Sequence, residues 1–434
     1  MLVMTTAIVF VFIAGYILVA LENVTLISKT AVSLLMAVLC WMLFYMGFGA
    51  SAENVSAFTQ TLGETSEILF FLLGAMVIVE VVDTNGGFDF VRARLHSRTK
   101  KSLLWKLAFM TFFLSAVLDN MTTAIVMIMV LNKLVEDGRD KLLYSSIVIL
   151  AANSGGAFSP IGDVTTIMLW VKGHISTFGV LKSLFIPSLV SVIVPVLIAG
   201  AMLKGKMPET RLVDWDCCTT NLETTPAERW IVFITGVGGL LFVPVFRFLT
   251  GLPPFMGILL ILSLLWIVTE FMFKQSKYKD IPQHRLPDVS ALLHKIDIST
   301  ILFFLGILTA VAALSETGVL KQLGAYLDIA SGGNPYVVTT VIGFFSAVVD
   351  NVPLVASCMG MYDLTTYAMD HDFWFLLAYC AGIGGSMLII GSAAGVVVMG
   401  LQNISFGWYL KHFSWIACVG YLSGILAFWL QGFL

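Results

Sequence analysis

Long apolar runs separated by short polar stretches extend along this chain from end to end. Several of them approach or reach the ~20 residues that an α-helix needs to cross about 30 Å of hydrocarbon. They lie at about 4–21, 31–48, 67–84, 178–203, 230–250, 255–273, 298–315 and 413–433. A transmembrane barrel would instead show short segments of alternating polarity. The pattern therefore predicts an all-α polytopic membrane protein.

Two pairs of shorter apolar runs interrupt this series. The first pair covers 104–118 and 121–134, and the second covers 336–349 and 352–362. A helix of about fifteen residues is only about 22 Å long, which is too short to cross comfortably. We therefore predict two re-entrant hairpins. Their tips are Asp119-Asn120 and Asp350-Asn351.

A glycine-rich stretch follows each hairpin, at 153–163 in one case and 382–392 in the other. Glycine permits a helix to unwind, and Pro160 prevents a continuous hydrogen-bond ladder through the first stretch. We predict a broken helix at each place. Together with the long runs, this gives about ten transmembrane spans and two hairpins.

The same hexapeptide pattern occurs twice, beginning at Ser115 and at Ser346, 231 positions apart. Phe71-Leu72-Leu73-Gly74 matches Phe303-Phe304-Leu305-Gly306 at an offset of 232, and Gly155, Gly156 and Gly162 match Gly384, Gly385 and Gly391 at 229. Collinear matches at a nearly constant offset indicate an internal duplication. We predict halves at 1–203 and 230–434, joined by a polar cytoplasmic linker at 204–229.

Loop charges predict that the two halves have opposite orientations. Loop 85–102 is basic and its counterpart 317–335 has only Lys321, whereas 49–66 has no basic residue and its counterpart 274–297 is basic. The basic residues of these loops are Arg92, Arg94, Arg98, Lys100 and Lys101 in one, and Lys274, Lys277, Lys279, Arg285 and Lys295 in the other. Because cytoplasmic loops carry the positive excess, we predict inverted-topology repeats with both termini outside. Such repeats with broken helices are typical of secondary transporters.

Composition agrees with a multi-pass protein of the plasma (inner) membrane. The chain has 434 residues, of which 58% are hydrophobic and 12% charged, whereas about a quarter of a soluble domain is charged. The net charge of −3 and the absence of a long basic tract argue against a nucleic-acid partner. Its 6 cysteines show no metal-ligand spacing, and we expect no cofactor.

The tips and the breaks carry the candidate chemistry, because unwound backbone inside a membrane is tolerated only within protein or beside water. Carboxylate, amide, hydroxyl and carbonyl oxygens are ligands that small hard cations prefer. The carboxylates are Asp119, Asp163 and Asp350, and the neutral candidates are Asn120, Asn351, Asn153, Ser159, Thr122, Thr165, Thr166, Ser386 and Ser392. We expect a small cation at Asp119, Asp163 and Asn153. Each Asp could instead cap a helix, and each hydroxyl could satisfy its own backbone.

Three runs resemble the NhaD-type sodium/proton antiporters: Asn153–Trp170, Leu118–Thr123 and Gly384–Gly395. The resemblance implies membership of the ion transporter superfamily, with arsenite exporters and dicarboxylate carriers. It also implies a homodimer in which a scaffold (1–84 and 230–315) supports a moving transport domain (104–203 and 336–434). In the dicarboxylate branch, Ser-Asn-Thr triplets at the tips hold sodium, and here acidic residues stand near those places.

We therefore expect a secondary transporter that exchanges cytoplasmic Na⁺, or Li⁺, for external H⁺ by elevator-type alternating access, and no enzyme. One alternative is an arsenite exporter or a sodium-coupled carboxylate transporter, although no Arg or Lys lies near either tip or break in the sequence. A second is an intramembrane aspartyl protease. The run Pro160-Ile161-Gly162-Asp163 approaches the Gly-x-Gly-Asp pattern of such proteases but lacks its first glycine.

Overall fold

The structure is a computed structural model that describes residues 2–20, 22–88, 95, 97, 99–135, 138–203, 205, 225–273 and 289–433. Within these ranges the chain forms helices and no β-strand, so the predicted all-α class is confirmed. Apart from single-turn helices such as Glu22–Thr25, the helices of the first part of the chain are α1 (Leu2–Ala20), α2 (Lys29–Phe48), α3 (Ala52–Thr84), α4 (Lys100–Ser115), α5 (Asn120–Leu134), α6 (Arg139–Ala157), α7 (Val164–Val171), α8 (Thr177–Met202) and α9 (Pro226–Thr250). They are followed by α10 (Pro254–Phe273), α11 (Ile298–Glu316), α12 (Val319–Ser331), α13 (Pro335–Ser346), α14 (Asn351–Met361), α15 (Asp372–Gly384), α16 (Ala393–Gln402), α17 (Phe406–His412) and α18 (Ser414–Gln431).

Among the described residues, 7 helices are long and apolar enough to cross a membrane. They are α2, α3, α8, α9, α10, α11 and α18. Helices α16 and α17 would together make an eighth span, although the chain bends by 112° between them. The structure thus supports a multi-pass protein, while the expected total of ten spans stays a prediction.

The two predicted hairpins correspond to pairs of short helices. Helices α4 and α5 contain 16 and 15 residues, and α13 and α14 contain 12 and 11. Their lengths of about 16–24 Å are below the thickness of the hydrocarbon core. Asp119 is the N-cap of α5 and Asp350 is the N-cap of α14, so each helix pair is interrupted where the sequence places its tip.

Two segments that the sequence suggested as loops are helical. Helix α3 begins at Ala52 and covers most of 49–66, because the Ser51 hydroxyl accepts a hydrogen bond from the Asn54 N–H and caps the helix. Its 33 residues extend about 50 Å, so one end must project beyond the hydrocarbon core. Helix α12 occupies the centre of 317–335, between two glycines with left-handed backbone.

The helices form two sets of contacts, which are joined where α14 packs on α11. Helix α2 contacts α1 and α11, and α3 contacts α10 and α11. In the second set, α4 and α5 pack on α6, α13 and α14 pack on α15, and α8 packs on α18. Each hairpin therefore lies against the broken helix that follows it in the chain.

The contact between hairpin and broken helix has the same form in both halves. The Ser115 hydroxyl donates to the Ala152 carbonyl oxygen over 2.6 Å, and the Ser346 hydroxyl donates to that of Ala381 over 2.6 Å. A Cβ at Gly155 would lie 2.1 Å from the Phe112 carbonyl oxygen, and one at Gly384 would lie 2.3 Å from the Gly343 carbonyl oxygen. Both breaks therefore require glycine for close backbone approach.

Most of the loop charges used to predict orientation lie outside the described residues. These are Arg92, Arg94 and Arg98 of the first basic loop, and Lys274, Lys277, Lys279 and Arg285 of the second. The same holds for residues 206–224 of the expected linker.

Candidate ion-binding site between the hairpin tips

Asp163 occupies the centre of a buried polar cluster. It lies between the two parts of the first broken helix and is the N-cap of α7, where its Oδ1 accepts a hydrogen bond from the Thr165 N–H over 3.1 Å. The Thr166 hydroxyl donates to its backbone carbonyl oxygen over 2.8 Å. Asp163 is only 1% exposed, so its carboxylate depends on protein partners or a bound ion for solvation.

One asparagine from each hairpin tip reaches this carboxylate. The Asn120 amide donates to Asp163 Oδ2 over 3.1 Å. The Asn351 amide lies 3.4 Å from Oδ1 and 3.3 Å from Oδ2 of the same residue. A single acidic side chain therefore connects both tips with the first break.

Asn153 extends the cluster to the second break. Its Oδ1 accepts a hydrogen bond from Asn120 over 3.0 Å, and its amide donates to the hydroxyls of Ser386 and Ser392 over 2.9 Å each. Asn153 and Ser386 are fully buried. Residues predicted from four separate places in the sequence thus form one hydrogen-bonded group.

Asp119 and Asp350 lie beside this group and cap their own helices. Asp119 Oδ1 accepts from the Thr122 N–H over 2.8 Å, and the Thr122 hydroxyl donates to its other oxygen. Asp350 Oδ1 accepts from the Val352 N–H over 3.2 Å. The charges of Asp350 and Asp119 both act on Asp163. Asp119 itself lines a small, mostly apolar cavity of about 60 Å³ beside α3, so it is the one expected Na⁺ ligand outside the hydrogen-bonded group.

The remaining hydroxyl candidates have different surroundings. Ser159 is buried, and its oxygen accepts a weak hydrogen bond from the Ile161 N–H at 3.4 Å, which stabilises a local turn. Among the described residues, the fully buried Thr165 hydroxyl has no hydrogen-bond partner. Thr165 therefore places a hydroxyl oxygen next to Asp163.

A cavity of about 190 Å³ reaches the cluster from one side. One wall contains Asp163, Asp350 and the two tip asparagines. The opposite wall is formed by the first residues of α2 and α11, where the Thr30 hydroxyl lies 2.8 Å from that of Ser299. Sequence reasoning missed this wall, whose polar residues are Glu22, Ser28, Lys29, Thr30, Asp297, Ser299 and Thr300. Their only signal is that they precede two apolar runs, and polar residues are common at such places.

Four helix N-termini converge on the site, those of α5, α7, α14 and α16. A helix N-terminus carries a partial positive charge and attracts anions. Three of the four are capped by a carboxylate of the chain itself, and the fourth is capped by Ser392, whose oxygen accepts from the Gly395 N–H. The site therefore presents carboxylate, amide and hydroxyl oxygens that can bind a proton or a small cation.

Broken helices whose ends meet at a buried carboxylate, within a bundle of helices able to cross a membrane, define a membrane transporter. Residues 16–378 match the family model described as "Citrate transporter". The chain is 44% identical over 420 residues to "Sodium/proton antiporter 2" of Arabidopsis thaliana, covering 95% of this chain and 96% of the relative. It is 31% identical over 444 residues to "Na(+)/H(+) antiporter NhaD" of Alkalimonas amylolytica, covering 96% and 88%. The chain belongs to this family of NhaD-type sodium/proton antiporters, whose members are transporters and not enzymes.

A solved transporter structure has a similar fold. The YdaH transporter of Alcanivorax borkumensis superimposes with a TM-score of 0.56 at 13% sequence identity, over 88% of this chain and 90% of that one. An identity this low supports a shared fold and nothing more specific.

Proposed function

We propose that this protein exchanges Na⁺ for H⁺ across the membrane and that Asp163 binds both ions in turn. The observation that carries the proposal is the contact of one buried carboxylate with both hairpin tips. A carboxylate at this depth is costly to keep without a functional reason. The names of the two relatives described above support the choice of ions.

Coupling follows from competition for the same oxygens. A proton and a Na⁺ ion both need the lone pairs of the Asp163 carboxylate, and occupancy by one excludes the other. Either ion compensates the negative charge, whereas the hydrogen bonds that the described residues donate to the empty carboxylate come from neutral groups. Because an uncompensated charge is costly to move through a low-dielectric barrier, the loaded states cross more readily than the empty one.

The two asparagines at the tips can serve both states. Their amides point N–H groups at the bare carboxylate. A half-turn of an amide replaces its N–H groups by its carbonyl oxygen, which is a cation ligand. The Thr165 hydroxyl supplies another neutral oxygen. Asn153 orients Asn120 and connects this half of the site to the serines of the second break.

Contacts at the two ends of α7 support alternating access. At its N-terminus the cavity opens toward α2 and α11. At its C-terminus an ion pair joins Lys172 to Glu64 of α3, and Arg247 of α9 donates to the Trp170 carbonyl oxygen over 2.7 Å. A cavity thus reaches the site at one end of α7, while contacts with α3 and α9 fix the position of the other end.

We also propose how the parts of the protein move, which ions cross in which direction, and where the protein acts. Residues 104–203 and 336–434 move as an elevator against 1–84 and 230–315. The recurring serine and glycine contacts support two repeats, and loop charge supports their inversion. Cytoplasmic Na⁺, or Li⁺, leaves as external H⁺ enters, and the protein acts as a homodimer in the plasma membrane.

Carboxylate transport deserves comparison, because the matching family model is described as a citrate transporter. An anionic substrate would need the positive ends of the helices at the site. Three of these ends are already capped by Asp119, Asp163 and Asp350. These fixed charges would repel a second anion, so a cation is the better cargo.

The test measures Na⁺-induced recovery of a pH-sensitive dye in acidified everted vesicles. We expect Asp163→Asn to abolish the response because the amide can bind neither H⁺ nor Na⁺ in the same way. The matched control is Asp363→Asn, the same change at a surface position on the loop between α14 and α15. Normal exchange by Asp163→Asn would refute the proposal. Uptake of labelled citrate by the wild type, without Na⁺-dependent proton movement, would favour the carboxylate alternative.

A further inference from the structure

Lys29 brings a positive charge into the cavity that leads to Asp163. It is the first residue of α2 and the only basic residue among the described residues that line this cavity. Its ammonium group lies 4.8 Å from the ring centroid of Phe303, on the same wall. This cation–π contact holds the charge in place.

The acidic residues near Lys29 are used in other ways. Glu22 accepts a hydrogen bond from the Lys29 backbone N–H over 2.9 Å, and Asp297 caps α11 by accepting from the Thr300 N–H over 3.2 Å. Within the described part of the chain, Lys29 forms no ion pair. Its charge therefore acts, together with the charges of Glu22 and Asp297, on whatever occupies the cavity.

That opposite wall would suit a divalent cation if charge were the only consideration. Asp163 and Asp350 both line it, together with amide oxygens, and Ca²⁺ and Mg²⁺ bind sites of this composition. Four carboxylates line the cavity, those of Glu22, Asp163, Asp297 and Asp350, and among the described residues Lys29 opposes them with a single positive charge. A fixed positive charge repels a divalent cation twice as strongly as a monovalent one.

We propose that Lys29 is a specificity-determining residue that weakens the binding of divalent cations at the ion site relative to that of Na⁺. The inference rests on the Na⁺/H⁺ exchange proposed above. The positive charge of Lys29 also weakens the attraction of the site for Na⁺. Removal of the charge should therefore strengthen Na⁺ binding and, to a greater degree, Ca²⁺ and Mg²⁺ binding.

The experiment compares Lys29→Met, which keeps an apolar stem of similar length, with Lys29→Arg, which keeps the charge and can stack on Phe303. Lys321→Met, on the exposed surface of α12, is the control for loss of a lysine. Na⁺-dependent proton exchange is measured in proteoliposomes at increasing Ca²⁺ and Mg²⁺. We expect Lys29→Met to be inhibited at about tenfold lower Ca²⁺, with the Na⁺ KM lowered severalfold, while both other variants resemble the wild type. Unchanged Ca²⁺ sensitivity in Lys29→Met, or equal sensitivity in Lys29→Arg, would overturn the proposal.

Thermal unfolding of the purified variants provides a second measurement if Lys29→Met proves inactive. Millimolar Ca²⁺ should raise the Tm of Lys29→Met and leave that of Lys29→Arg unchanged, because a ligand stabilises the form that binds it. Equal Tm changes in the two variants would refute the role of Lys29. A wild type that moves no protons in response to Na⁺ would instead refute the exchange proposal, whatever the Tm values show.

Discussion

Replacement of Gly155 by alanine tests how the first hairpin is seated against the broken helix. A Cβ at this position would lie 2.1 Å from the Phe112 carbonyl oxygen and 2.9 Å from the carbonyl carbon. Both atoms belong to the backbone of α4, so no side-chain rotation relieves the clash. The hairpin must move by about 1 Å to restore an ordinary van der Waals separation.

The expected loss of stability is the difference between two terms. Overpacking costs about 1–3 kcal/mol, and we expect the upper end because backbone must shift. Alanine in place of glycine returns about 1 kcal/mol of helix propensity. The net effect is a loss of about 2 kcal/mol. The shift also displaces the tip that follows α4 and weakens the contact between Asn120 and Asp163.

The assay combines thermal unfolding of the purified protein with Na⁺-dependent exchange in vesicles. We expect a lower Tm and a higher Na⁺ KM for Gly155→Ala, and a parallel result for Gly384→Ala, whose Cβ would lie 2.3 Å from the Gly343 carbonyl oxygen. Gly400→Ala is the control, since a Cβ there meets nothing within 4 Å. A Gly155→Ala protein as stable as Gly400→Ala, with an unchanged KM, would refute this account of the packing.

Three further predictions concern other contacts. Asn351→Leu removes one amide from Asp163 and should raise the Na⁺ KM about tenfold, as measured in proteoliposomes. Glu64→Lys should slow exchange because it breaks the ion pair with Lys172. The double variant Glu64→Lys with Lys172→Glu should restore exchange, because the ion pair re-forms with its charges reversed. Failure of the double variant to recover would argue against a role for this ion pair. Burial, followed by the charge of Lys172, lowers the pKa of His174 from 6.5 to about 4, so the fold loses stability as pH falls between these values. His174→Gln should flatten that part of the stability profile in acid unfolding.

Some residues of the site could be predicted from the sequence because charged residues and glycine runs are unusual within long apolar segments. A carboxylate and a run of glycines within apolar sequence are costly unless the fold needs them. This reasoning led to Asp163, Asn153 and both tips. The helix boundaries at the two hairpins followed from run length alone.

The sequence could not show which residue of each hairpin tip contacts Asp163. Asp119 and Asn120 are adjacent, but neighbouring residues at a helix start point about 100° apart. Asp119, at the N-cap position, turns back to its own helix and binds the Thr122 N–H, whereas Asn120 projects toward Asp163. The same division separates Asp350 from Asn351. Only the register of each helix decides which of the two reaches the centre.

Lys29 was missed for a different reason. It precedes a predicted span, where a lysine usually lies in solvent or near lipid head groups. Its approach to the candidate site depends on how α2 and α11 lie relative to the hairpin tips, and this brings together residues that are far apart in the sequence, such as Lys29 and Asn351. No local pattern in the sequence records such a distance.

The four helix N-termini that converge on the site affect which charge of ion it can bind. Four positive helix ends facing a common space form a natural anion site. In this chain three of them already have a covalently attached anion, the side chain of Asp119, Asp163 or Asp350. The helix ends stabilise these carboxylates, and the carboxylates in turn attract a cation. This arrangement of charge is the one that the proposed exchange of Na⁺ for H⁺ needs, since an entering cation meets three carboxylates and not free helix ends.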